Sequence, residues 1–196
     1  MNQEISLPAR TSAASGPPVF MDIETTGLLN KPDARLTLAG FLDNLGVHQF
    51  FVEEPAREPE CLEFIQKSMA AYNIEKSPVV TYNGIYFDFP FIKNRTKALE
   101  HCLNLPESLD NCAHIDLHPI AAKNINGSRF ISKSYAFSTL STQRLYNSSG
   151  LRSGLIQSLP KNLRFPTEDY ELMYHNALDL YQTAVLYEKF KRFGWL

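Results

Sequence analysis

Four carboxylates in three separated segments carry the chemistry this chain has to offer: Asp22 and Glu24 in VFMDIETTGL, Asp88 in YNGIYFDFPF and Asp179 in YHNALDLYQT. Side chains two apart on a strand point to the same face, about 6 to 7 Å apart along the chain. Carboxylates at that separation can touch two cations set about 3.5 to 4 Å apart, the spacing of two-metal phosphoryl chemistry. Ile23 points the other way, into a core. Val19, Phe20 and Met21 mark the strand as buried, and buried acids need counter-charge. Thr25, Thr26 and Gly27 then turn the backbone and leave space for a substrate beside the acids.

Asp88 stands just before Phe89-Pro90, where an aspartate is a preferred helix cap and a proline is tolerated in the first turn. Taken alone it reads as an ordinary cap, preceded by a turn at Asn83 and Gly84. Around it crowd Tyr82, Tyr86, Phe87, Phe89 and Phe91, which suit stacking on the bases of a single strand as well as core packing. On the last helical segment His175 and Asp179 are four apart and share a face. Asp179 can complete a metal shell there, while His175 reaches the water that attacks phosphorus, as base or orienter.

The elements that must position these residues follow from periodicity and punctuation. VFMDI is a short strand. RLTLAGFLD and VHQFFVE are two more, joined by NLG, so the first three form an antiparallel meander. PECLEFIQKSMAAY reads as a helix, SPVVTY as a central strand and FPFIKNRTKALEHCL as a second helix, and HIDLHPI contains another short strand. Helix resumes after Ser134, a polar stretch runs from Asn147 to Pro166, and a long helix covers about Thr167 to Arg192 behind the capping-like TEDYE. The order predicts an α/β fold, a mixed sheet flanked by helices. Residues 1–17 read as a flexible lead-in and 18–196 as a single domain.

Here the motifs become specific. DIETTGL, YNGIYFDFPFI and HNALD resemble, over residues 18 to 192, the DEDD (DnaQ-like) 3′–5′ exonuclease superfamily with its ribonuclease H-like fold. It is similar in particular to the branch related to the proofreading domains of family B polymerases, which includes ribonuclease H-like exonucleases of the YprB type. The resemblance implies a ribonuclease H-like mixed sheet, with three antiparallel strands followed by parallel ones. It implies hydrolysis of phosphodiester bonds at the 3′ end of single-stranded DNA or RNA, with two Mg²⁺ or Mn²⁺ ions held by Asp22, Glu24, Asp88 and Asp179. Thr25, Thr26, Gly27, Leu28, Asn83, Phe87 and Tyr174 become candidate substrate contacts. The segment SYAFSTLSTQRLYN is similar to the family's helix before the last motif. The best-known subclasses place a histidine five residues before the last aspartate, or a tyrosine four before it. Tyr174 and His175 occupy those positions in reverse, so the base lies between these two. A five-residue step turns Tyr174 about 140° from Asp179 on a regular helix, which favours His175.

Composition narrows the alternatives. A net charge of −2 over 196 residues argues against a protein that coats nucleic acid, and for a local grip helped by bound cations. No apolar run is long enough for a membrane span and the N-terminus lacks a signal-peptide core, so no membrane partner is expected. Three cysteines, Cys61, Cys102 and Cys112, point to a reduced, cytoplasmic setting. A catalytically inactive nucleic-acid-binding module of the same fold would be expected to lack one of the acids, and all four are present. His101, Cys102, Cys112, His114 and His118 could be read as a zinc cluster, but the close cysteine pairing of structural zinc is missing and Asp116-Leu117 looks like strand interior. Asp116 reads as a local helix cap sooner than as an auxiliary acid. Arg95, Lys133 and Arg144 are candidate phosphate contacts, each a surface charge by default.

Overall fold

The strand that carries the first acid pair is β1 (Val19–Thr25), and its alternation organises everything around it. A computed structural model describes residues 16–74, 76–127, 131–142 and 168–196. Strand β2 (Leu36–Leu42) pairs antiparallel with β1, setting Asp22 opposite Gly40, and β3 (Val47–Phe51) pairs antiparallel with β2. The connection between β2 and β3 is held by Asp43, whose carboxylate accepts the N–H groups of Leu45 and Gly46 at 2.7 and 3.1 Å. Strands β4 (Val79–Thr81) and β5 (His114–Asp116) add in parallel on the other side of β1. The order is β3-β2-β1-β4-β5, so the meander and the parallel half meet at β1. The fold is therefore the expected mixed sheet flanked by helices, three antiparallel strands followed by parallel ones, with SPVVTY internal and β1 in the middle.

Val19, Met21 and Ile23 alternate into one core, shared with residues of α1 (Glu58–Ala71), α2 (Asp88–Ala98) and α3 (Leu105–Asn111). Phe20 points into a second core, built with α4 (Leu117–Ala121), α5 (Lys133–Thr142) and α6 (Glu168–Arg192). Asp22 and Glu24 share Phe20's parity, so they belong to the face that α6 covers.

Three expectations need correction. The helix read through FPFIKNRTKALEHCL stops at Ala98. Glu100 and Cys102 take positive φ of 49° and 52°, turning the chain so that α3 can bury Leu105 completely. Burying such a side chain is worth about 1.5 to 3 kcal/mol, enough to override a continuous helical pattern. The strand in HIDLHPI ends at Asp116 instead of running through Leu117, because the Asp116 side chain caps α4 by accepting the His118 N–H. The helix expected after Ser134 begins at Lys133. Residues 1–15 of the lead-in, the stretch from Asn147 to Pro166, Arg144, the expected helix beyond 142 and Thr167 of TEDYE lie outside the described residues.

Candidate active site

Helix α6 can approach β1 closely because β2 carries a glycine at the crossing. A Cβ on Gly40 would lie 2.0 Å from Asn176 Oδ1, so any side chain there would push the helix away. Asn176 is fully buried. Its Nδ2 donates to Asp22 Oδ2 at 3.0 Å, and its Oδ1 accepts from Gln49 Nε2 at 2.9 Å. Gln49 also donates to the Met173 carbonyl at 2.8 Å, which fixes the amide's orientation and with it one oxygen of Asp22. The other oxygen of Asp22 meets Lys133. The ammonium of that lysine lies 3.1 Å from Asp22 Oδ1 and 2.7 Å from Asp179 Oδ2. On the same helix face as Asp179, His175 Nδ1 lies 3.0 Å from Glu24 Oε1.

Asp88 arrives from the other side of β1. It is buried, and its Oδ1 accepts the N–H of Ile23, the residue between the first two acids, at 3.2 Å. The cap position of α2 belongs to Phe87, which makes no capping bond, so Asp88 is not spent as a cap. The loop before it is clamped from β5: Asp116 accepts N–H groups from Asn83 at 2.7 Å, Ile85 at 3.0 Å and His118 at 2.9 Å. Asn83 has φ of 75°, and a Cβ on Gly84 would fall 2.3 Å from Thr81 Oγ1, so the turn depends on both residues.

The five candidate catalytic residues thus gather around one stretch of β1, and their electrostatics are coupled. Burial, reinforced by the charges of Asp179 and Glu24 and only partly offset by Lys133, pushes the Asp22 carboxyl up to about 6. Burial and the charge of Asp22 hold Asp88 well above the ordinary aspartate range. The hydrogen bond to Glu24 lifts His175 above the usual histidine value. Burial works to strip the proton from Lys133, but Asp22 and Asp179 outweigh it and hold the lysine charged.

As the side chains stand, the described residues contain no group of three or more His, Cys, Asp or Glu arranged around a metal position. The donor chemistry nonetheless fits Mg²⁺ or Mn²⁺, which take carboxylate oxygens. A cation, the lysine ammonium, already sits between Asp22 and Asp179. Asp22, Glu24, Asp88 and Asp179 are the residues that would hold such ions.

The candidate substrate contacts divide. Thr25 Oγ1 donates to the Gly27 carbonyl at 2.8 Å and Thr26 Oγ1 accepts the Arg35 N–H at 3.0 Å, so both hydroxyls hold the turn itself. Leu28, Ile85 and Tyr86 are exposed. Phe87 rests against Phe91 with ring centroids 5.7 Å apart, and Tyr174 is half-buried. Arg95 is not available to a phosphate: its guanidinium grips Glu58 through two bonds of 2.7 and 2.6 Å. Lys133 is no solvated surface charge either, with 12% of its side chain exposed. The zinc candidates are dispersed among separate partners. His101 pairs with Glu63, His114 lies on Phe89 beside Thr81, and Cys112 donates to the Leu109 carbonyl. Sequence reasoning missed Asn176, Gln49 and Gly40; only Asn176 carried a signal, as the neighbour of His175 inside HNALD.

A family model described as the RNase_H superfamily matches residues 19–155. No curated protein sequence matches this one. Among solved structures the fold is similar to a family B DNA polymerase from the hyperthermophilic archaeon Pyrobaculum calidifontis, with a TM-score of 0.63 and 16% identity over 88% of this chain. The match covers 24% of that polymerase, so this chain spans about a quarter of its length.

Proposed function

This chain belongs to the RNase_H superfamily, and we propose that it is a metal-dependent 3′–5′ exonuclease acting on the 3′ end of single-stranded DNA or RNA. One observation carries the reading: Asp22, Glu24, Asp88 and Asp179 come from three separate elements to one stretch of β1, where burial, with the neighbouring acids adding to it, holds the Asp22 and Asp88 carboxyls raised although Lys133 is beside them. The motif resemblance and the likeness to a family B polymerase point the same way.

When bound, two divalent ions would supply positive charge at the reacting phosphate and at the oxygen that leaves it. Asp22, fixed by Asn176, Asp179, across the lysine from it, Glu24, and Asp88, anchored on the Ile23 amide, are the groups that would hold these ions. His175, presented by α6 and steadied by Glu24, takes or steers the proton of the attacking water as the bond from phosphorus to the 3′ oxygen breaks. The exposed Leu28, Ile85 and Tyr86 offer apolar surface to unstacked bases.

A second reading, a nucleic-acid-binding module of the same fold without chemistry, draws on the lysine seated among the acids. Matched 5′-labelled single strands of DNA and RNA, incubated with Mn²⁺ or with EDTA, separate the two. The exonuclease reading expects a ladder shortening one nucleotide at a time from the 3′ end in Mn²⁺ only. Binding without shortening on either strand would leave the module.

A further inference from the structure

Lys133 occupies ground that a divalent ion would claim. It projects from the first residue of α5, an element separate from those of both acids, so its contacts to Asp22 and Asp179 at 3.1 and 2.7 Å are tertiary contacts, not local ones. An ammonium bridges carboxylates at hydrogen-bond distance, whereas Mg²⁺ draws oxygens to about 2.0 to 2.1 Å. The two cannot share the space between the same oxygens. Like charges held this close in a partly buried site repel strongly, and a divalent ion doubles the repulsion a monovalent one would meet. A lysine stem is long and flexible enough to swing its charge away while its helix stays in place.

We propose that Lys133 is a built-in counter-cation: it holds Asp22 and Asp179 together while the site is metal-free and is displaced when the second divalent ion loads. This rests on the reading of these acids as metal ligands. The acids stay close in the resting protein because a cation joins them, and the weaker of the two ions must compete with a charge tethered beside its seat.

The test is a Mn²⁺ titration of the full chain and of Lys133→Met and Lys133→Arg, followed by calorimetry and by the electron paramagnetic resonance of free Mn²⁺. Lys133→Met is expected to bind the weaker ion about tenfold more tightly or better, with Lys133→Arg staying near the unaltered protein because it keeps the charge. In EDTA, Lys133→Met should melt below the unaltered protein, and Mn²⁺ should raise its melting temperature by a wider margin. Unchanged or weaker Mn²⁺ binding in Lys133→Met, or tightening in Lys133→Arg as well, would overturn the proposal. Should Lys133→Met not fold, acetylation of the unaltered protein followed by mass spectrometry decides. Lys133 should react faster in saturating Mn²⁺ than in EDTA, and an equal or slower rate would overturn the proposal. Absence of Mn²⁺ binding in every protein overturns the metal reading along with it, whereas equal binding removes only this role for the lysine.

Discussion

Two buried acid sites in this molecule are neutralised to different degrees. Glu58, 1% exposed at the start of α1, accepts the Leu36 N–H at 2.9 Å and both arms of the Arg95 fork. Its bonds are complete and leave nothing for an added cation to do. Around β1, four carboxylates share Lys133 and the exposed His175, and Asp22 and Asp88 resist ionisation. A carboxylate kept for stability is matched by the protein itself. A cluster kept short of positive charge destabilises the fold unless something else supplies the cation.

The comparison is broken most forcefully at its two ends. Asp22→Asn should lower Mn²⁺-dependent nucleotide release by at least about 10³-fold, because a group holding the ions contributes several kcal/mol to the transition state. Its melting temperature in EDTA should hold or rise, since one uncompensated acid is gone. Arg95→Met should do the reverse. It leaves Glu58 buried with the Leu36 N–H but no counter-charge, which costs about 3 to 5 kcal/mol in urea melts, while activity per folded molecule is kept. If Arg95→Met proved as stable as the parent protein, the contrast between the sites would fail.

Proton linkage sharpens the same contrast. Asp22 gives up its proton near pH 6 in the fold and near 3.8 when unperturbed. Between those values the folded state holds the extra proton, so the metal-free protein gains stability as pH falls through 6 and loses it as pH rises. The gain is on the order of 3 kcal/mol, with Asp88 acting in the same direction. Urea melts in EDTA should show this slope in the parent protein, a smaller one in Asp22→Asn, and little of it in saturating Mn²⁺. The smallest effect belongs to the buried amide. Asn176→Ala frees one Asp22 oxygen and should weaken Mn²⁺ binding by about 10- to 100-fold, read by titration.

Much of this arrangement was legible in the sequence because it depends on short periods. The alternation of VFMDIET set Asp22 and Glu24 on one face and Ile23 on the other, and a four-residue step put His175 beside Asp179. Tertiary partners were not legible. Arg95 looked like a surface charge until its partner Glu58 was found 37 residues away, and Lys133 meets an acid 111 residues distant. Gly40 carried no local mark, since its need arises only where α6 crosses β2. Helix α3 was hidden because a turn at Glu100 and Cys102 uses residues that do not advertise positive φ. Asp116 was read as a cap, which it is, but its wider grip on the Asn83 and Ile85 amides required β5 to lie beside that loop.

Anomalous diffraction from crystals of the full chain soaked in Mn²⁺ tests the central claim most directly. Two peaks enclosed by Asp22, Glu24, Asp88 and Asp179, with the Lys133 ammonium drawn back, are the result expected. Saturating Mn²⁺ with no peak among these side chains, and the lysine still bridging Asp22 and Asp179, would contradict the account.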